Sequence, residues 1–240
     1  MARLFVSDVH LDESAAQAIE QFLEFLKVHA ASAEALYILG DLFESWVGDD
    51  DVDPAKERVS AALRELTLQR VATFVIHGNR DFLLGSDFCA RTGCELLPDP
   101  VIVELDGERV LLTHGDALCT DDHAYQELRS TVRSRDWQRR FLALPLIARA
   151  GLAQQARAGS QAHIARVPPT IMDVNPNAVA TAFRTLDVQR MIHGHTHRPD
   201  VHNSVIDERD SQRIVLGAWY EQGSYLWYEH GRYELRELPR

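Results

Sequence analysis

Leu36-Tyr37-Ile38-Leu39-Gly40-Asp41-Leu42-Phe43 is the stretch that decides how this chain is read. Its first four residues are a short apolar run with no polar alternation, which reads as a strand covered on both faces. The run stops at a glycine followed by a carboxylate. The same grammar recurs outward from it: Leu4-Phe5-Val6 runs into Ser7-Asp8-Val9-His10, and Phe74-Val75-Ile76 into His77-Gly78-Asn79-Arg80-Asp81. Amphipathic stretches between these runs predict helices. Ser14 with Gln17 resembles a capping box ahead of the stripe Ile19, Phe22, Leu23 and Leu26, and Val59, Ala62, Leu63 and Leu66 repeat that stripe after Pro54. A hairpin is expected from Val101 to Leu112, turning at Asp106-Gly107. Strands separated by helices define an α/β fold.

Between about 120 and 168 the pattern changes to an inserted helical cap, in which Trp137, Phe141, Leu144, Leu146, Leu152 and Ile164 are interleaved with arginines. Asn175-Pro176 then supplies an N-cap and first-turn proline for a helix through Leu186. Strands return at Met191-Ile192, Val201 to Ile206, Ile214 to Leu216, Tyr225 to Tyr228 and Tyr233 to Leu235. The reading is one domain over 1–240 carrying that cap.

Composition narrows the function. The chain has 240 residues, 45% hydrophobic and 25% charged, a globular balance with no apolar run long enough to cross a bilayer and no signal-peptide pattern at its start, so a cytosolic protein is expected. Cys89, Cys94 and Cys119 have no metal-type spacing and read as structural. A net charge of −11 argues against nucleic-acid binding. From Arg129 to Arg166, however, the sequence holds eight arginines and one acid, a local charge of +7 that predicts an anionic partner for the cap.

The chemistry gathers where apolar runs end: Asp8-Val9-His10, Gly40-Asp41, Gly78-Asn79-Arg80-Asp81, His114-Gly115-Asp116 and His193-Gly194-His195-Thr196-His197. Ligand sites of α/β sheets collect beyond such strand ends. Asp8 and His10, like His195 and His197, are two apart, so in an extended segment both side chains leave from one face and can grip one ion. Oxygen and imidazole ligands without thiolate favour Mn²⁺, Fe²⁺ or Zn²⁺. Two such ions can clamp both oxygens of an in-line phosphoryl displacement, and Asp41 is placed to bridge them. His193, one residue out of step with its neighbours, reads as a supporting group rather than a ligand.

The order D-x-H, G-D, G-N, H-G-D and G-H-T-H resembles the calcineurin-like metallophosphoesterase family from Asp8 to His197. The resemblance implies two packed mixed sheets flanked by helices (αββα). It implies one metal held by Asp8, His10, Asp41 and His197 and a second held by Asp41, Asn79, His114 and His195. The runs from Gly40 to Asp51, from Gly78 to Gly85, from His114 to Asp122 and from Ile171 to Asn175 further resemble the branch of the family that serves lipid A synthesis. That likeness implies two divalent ions, most often Mn²⁺, and hydrolysis of the pyrophosphate of UDP-2,3-diacylglucosamine to UMP and 2,3-diacylglucosamine 1-phosphate (lipid X).

It also implies a peripheral protein, a monomer or weak dimer, on the anionic cytoplasmic face of the inner membrane. Catalytic roles fall on Asn79, Arg80 and His195, with arginine at position 80 where many family members have histidine. Substrate contacts fall on Asn79, Arg80, Asp122, Tyr125, Arg157, Ser160 and His195, and on positions 164 and 167. Those last two are Ile164 and Val167 where the family often has polar or lysine side chains, so Arg157 or Arg166 is expected to substitute. The apolar cap residues are expected to line an acyl-chain pocket. The competing readings are a phosphoesterase acting on a soluble nucleotide or other phosphodiester, which has no use for such a cap, and a metal-holding scaffold without turnover, which the complete ligand set disfavours.

Overall fold

The computed structural model describes residues 1–164, 171–220 and 222–239. In chain order its elements are β1 (Arg3–Val6), α1 (Ala16–Val28), β2 (Ala35–Leu39), α2 (Pro54–Leu68), β3 (Ala72–Ile76), α3 (Ser86–Thr92), β4 (Glu95–Leu97), β5 (Val101–Leu105), β6 (Glu108–Leu112), α4 (His123–Val132), α5 (Arg135–Leu142), α6 (Leu146–Ile164), α7 (Pro176–Leu186), β7 (Arg190–His193), β8 (Asp200–Ile206), β9 (Arg209–Val215), β10 (Ser224–Glu229) and β11 (Arg232–Glu237). The strands form two mixed sheets, β11-β10-β1-β2-β3-β4 and β5-β6-β7-β9-β8. β1 to β4 run parallel, as do β6, β7 and β9.

Side-chain alternation explains why the short runs are apolar throughout. In β1, Leu4 and Val6 join the cluster beneath α1 and α2, where Phe22, Phe25, Val59 and Leu63 are buried. Phe5, between them, points the other way, into a core shared with Tyr37 and Leu39 of the first sheet and Leu112, Ile192 and Ile214 of the second. The second sheet's far face is covered by α7 through Val179 and Phe183 against Leu111 and Met191. The result is helix, sheet, sheet, helix.

Most expected elements are present; the local devices differ in places. Asn175 caps α7, its side chain accepting from the N–H groups of Asn177 and Ala178. Asp53 caps α2 ahead of Pro54. Ser14 does not cap α1: the helix begins at Ala16, and the Ser14 N–H and hydroxyl both donate to Asp12 instead. α3 and β4 had no sequence signal of their own, being 7 and 3 residues long. The cap consists of α4, α5 and α6.

Candidate metal centre and its cavity

The seven expected ligands arrive on loops that leave both sheets at one edge: Asp8 and His10 after β1, Asp41 after β2, Asn79 after β3, His114 after β6, and His195 and His197 after β7. Their conformation corrects the strand-pairing argument. β1 ends at Val6 and β7 at His193, and the paired ligands are left-handed rather than extended, with φ of 53° at Asp8, 55° at His10, 67° at His195 and 56° at His197. Side-chain convergence comes from these turns rather than from a shared strand face. At Gly40, with φ of 89°, an added Cβ would lie 2.6 Å from the Gly78 Cα, so two metal-bearing loops can approach only because both carry glycine there.

The ligand atoms meet in two overlapping sets, Asp8 with His10 and His197, and Asp8 with Asp41 and His114, each set within 4.8 Å. His197 Nε2 lies 3.3 Å from Asp8 Oδ1. Asp8 is common to both sets, while Asp41 Oδ2, a member of the second, also lies 3.9 Å from His10 Nε2 of the first, as well as 3.8 Å from His114 Nε2. Asn79 Oδ1 lies 3.0 Å from His114 Nε2 and 2.9 Å from His195 Nδ1. His193 turns away, with Nδ1 at Gly194 O (2.8 Å) and Nε2 facing the Arg213 guanidinium (3.0 Å).

The donor set fits divalent cations. Asp8 Oδ1 is buried without a hydrogen-bond partner, which in a protein interior calls for a counter-charge. Burial opposes ionisation of Asp8, but the His197 imidazole, 3.3 Å from Oδ1, and the charges of His114 and His10 hold its carboxyl well below the usual range. Burial raises Asp41 to about 6 against the pull of His114 and His10. His114 is lifted to about 9: burial disfavours its charge, and Asp41, Asp8 and Asp116 outweigh that. Burial, then the His114 charge, lowers His195 to about 4. Carboxylates are here holding protons on neighbouring imidazoles where a metal would replace them.

Several groups orient this set. Glu44 Oε2 lies 2.8 Å from His10 Nδ1, and Leu39 O lies 2.9 Å from His114 Nδ1, so each ring presents Nε2 to the centre. Asp81 is fully buried and accepts from Leu42 N–H at 2.8 Å and Gly78 N–H at 2.9 Å, tying the Asp41 loop to the Asn79 loop. Glu44 also faces Arg80 at 3.9 Å and Arg157 at 3.4 Å. Glu44 was missed because its role depends on contacts between loops distant in sequence. Its position in Gly40-Asp41-Leu42-Phe43-Glu44 was the only available signal.

Beside the centre, under the cap, lies a cavity of ≈ 630 Å³. Asn79, Arg80, Tyr125 and Arg157 line it at the metal end, Ser160 is part of its lining, and Phe82, Trp137, Phe141, Leu144 and Leu152 furnish apolar wall. Leu146 is exposed instead of lining it. The side chain of Ile164, together with Arg166 and Val167, lies outside the described residues. Asp122 is buried as the N-cap of α4, accepting from the Tyr125 N–H at 3.0 Å. The Tyr125 ring packs on His195 (5.9 Å between centroids), and its hydroxyl donates to Asp116 at 2.6 Å.

The cap arginines divide between two tasks. Arg129 donates to Asp116, Arg133 to Gly78 O and Arg149 to Asp50 and Val47 O, so these three fasten the cap to the core. Arg135, Arg139 and Arg140 are exposed. The +7 of this window is therefore partly structural.

Residues 1–199 match the family model for calcineurin-like phosphoesterases. The chain is 47% identical over a 247-residue alignment, covering all of both chains, to a Stenotrophomonas maltophilia (strain K279a) protein named UDP-2,3-diacylglucosamine hydrolase. It is 46% identical, again over the full length of both, to an Escherichia coli O9:H4 (strain HS) protein of the same name. Among solved structures, a novel archaeal phosphodiesterase superposes with a TM-score of 0.52 at 13% identity, covering 99% of this chain and 100% of that one, a likeness of fold. With the ligand loops ordered as in that family and its model matched across all of them, the chain belongs to the calcineurin-like phosphoesterases.

Proposed function

We propose that this chain hydrolyses the pyrophosphate bond of UDP-2,3-diacylglucosamine, the compound in its relatives' names, to UMP and 2,3-diacylglucosamine 1-phosphate in lipid A synthesis. The observation that carries the reading is a largely apolar cavity of ≈ 630 Å³ whose polar end is formed by Asn79 and Arg80 of the metal loops. A diacyl sugar phosphate has that polarity pattern: chains for the cavity, anion for the centre.

Members of the family use divalent metal ions, and Asp8, His10, Asp41, Asn79, His114, His195 and His197 are the residues that would hold them here, with Mn²⁺ as the proposed metal. Such ions, when bound, supply Lewis acidity towards phosphoryl oxygens and a nucleophile at neutral pH. The chain's own groups do the rest. Arg80, facing Glu44 on one side and the cavity on the other, neutralises charge developing on the pyrophosphate. Its Nε is buried and has no hydrogen-bond partner among the described residues. Arg157 and Ser160 extend the polar rim into the cap. His195, neutral because of its burial, orients the Asn79 amide through Nδ1.

Monomeric, peripheral attachment to the anionic cytoplasmic face of the inner membrane belongs to the same reading. It is supported by Leu142, Leu146 and Ile147, exposed on the same cap whose Arg135, Arg139 and Arg140 are exposed. The decisive experiment is turnover by the chelator-treated protein with and without Mn²⁺, using UDP-2,3-diacylglucosamine and UDP-glucose. Metal-dependent release of UMP and the diacyl sugar phosphate from the lipid alone is expected. Hydrolysis of simple phosphodiesters but not of the lipid would overturn the substrate assignment while keeping the metal centre.

A further inference from the structure

Tyr220 has an unusual position for a surface aromatic. It is 64% exposed, yet one face of its ring lies on the imidazole of His10, with centroids 4.8 Å apart and planes within 12°. His197 approaches its ring at 5.4 Å and 65°. The residue before it explains why it stays there: Trp219 is buried, packs edge-on against Phe22 and Phe25 at 5.6 Å each, and donates its backbone N–H to Asp8 O at 3.1 Å. A tyrosine held this way presents a second, open ring face beside the metal centre.

Neither His10, His197 nor Tyr220 lines the cavity under the cap, whose metal end is made by Asn79, Arg80 and Tyr125. A pyrophosphate diester has two ends. If the lipid end enters the cavity past Asn79 and Arg80, the end on the other side of the pyrophosphate must lie along the part of the centre that the cavity does not cover. Among the described residues, Tyr220 is exposed there. We infer that the open face of Tyr220 is the stacking platform for the nucleobase of a nucleoside diphosphate substrate, a contact that sets the preference for the nucleotide half of the molecule. Planar aromatic pairing of this kind holds a base without reading its hydrogen-bonding edge. The platform therefore selects for an aromatic base more than for uracil itself. This inference rests on the substrate class proposed above.

The test compares Tyr220→Ala, Tyr220→Phe and Tyr220→Trp in the Mn²⁺-loaded enzyme on two substrates, UDP-2,3-diacylglucosamine and an analogue carrying ribose without a base. Tyr220→Ala is expected to lower kcat/KM for the nucleotide substrate about tenfold more than for the base-free analogue, mostly through KM, and to raise the inhibition constant of UMP about tenfold. Tyr220→Phe and Tyr220→Trp are expected to restore both. Equal losses on the two substrates would mean that Tyr220 acts through His10 alone and would overturn the inference, as would no loss on either. Titrating UMP into the loaded wild-type and Tyr220→Ala proteins reads the same contact without turnover. Failure of the wild-type enzyme to cleave the lipid is thus distinguishable from failure of the platform.

Discussion

Glu44 concentrates at one residue what the centre requires of its surroundings. One carboxylate oxygen fixes His10 at 2.8 Å, and the other faces Arg157 at 3.4 Å and Arg80 at 3.9 Å. Burial works against its charge, yet the His10 hydrogen bond and Arg80 lower its pKa. Glu44→Gln is expected to weaken metal affinity or activity roughly 10- to 100-fold, the usual cost of losing a metal ligand's outer partner; wild-type metal affinity and kcat/KM would refute this. On the expectation that Asp41 bridges two metals, Asp41→Ala should abolish activity by releasing both, and more than a tenth of wild-type activity remaining would exclude a bridge. The protons already on the centre set its pH response. His114, lifted to about 9, must lose a proton to bind metal, and Asp41, at about 6, must lose one below that pH. His10 is raised as well, its burial being outweighed by the hydrogen bond to Glu44 and the charges of Asp41 and Asp8, so metal affinity should rise with pH up to about 9 and most steeply at the acid end, where all three groups must lose protons. Titration calorimetry in buffers of different ionisation enthalpy counts the protons released, and a pH-independent affinity would contradict the assignment. The clustering of the candidate ligands was legible because each glycine and polar cluster interrupts an apolar run. Glu44, Asp81 and Tyr220 were not, because their partners lie on other loops.

At the scale of elements, the loops and the cap depend on a few buried anchors. Asp81 takes N–H groups from both the Asp41 and the Asn79 loops. Asp81→Asn puts an amide donor among those N–H groups, and leaving buried groups unsatisfied costs roughly 1–3 kcal/mol; a lowered Tm together with weakened metal binding is expected, and an unchanged pair of values would argue against the anchor. Arg149 is buried between α6 and the loop after β2, donating to Asp50, Val47 O and Leu144 O. Gly48, with φ of 142°, leaves room for that guanidinium. Arg149→Met should loosen the cap, so protease should cut between 120 and 160 faster while the sheets survive; unchanged cleavage would remove this latch. The cap was legible as helical from its composition, but not which arginines it spends on fastening itself. Arg129, Arg133 and Arg149 look no different in sequence from the exposed Arg135, Arg139 and Arg140, since only tertiary contacts separate them.

For the whole molecule, the decisive surface is the one between the sheets. Phe5, Leu39 and Leu112 are each fully buried in that shared core. Leu112→Ala is expected to cost roughly 2–5 kcal/mol, as truncating a large core side chain does, and equilibrium denaturation would measure it. The two-sided burial was readable from unbroken apolar runs such as Leu36 to Leu39. Which strands share a sheet was not, because β1 pairs with β10, more than two hundred residues away along the chain. The same arrangement gives the ion cluster a second consequence. Asp8, His10, Asp41 and Asn79 hang from the first sheet, while His114, His195 and His197 hang from the second. Metal captured across that seam clasps the two halves of the molecule, adding roughly 2.7 kcal/mol to folding when a single-site ion stands a hundredfold above its Kd. Along the chain five of the seven, Asp8 to His114, precede residue 150, and His195 and His197 come only after β7. Metal binding at full strength is therefore expected only once the loop after β7 has brought His195 and His197 to the others.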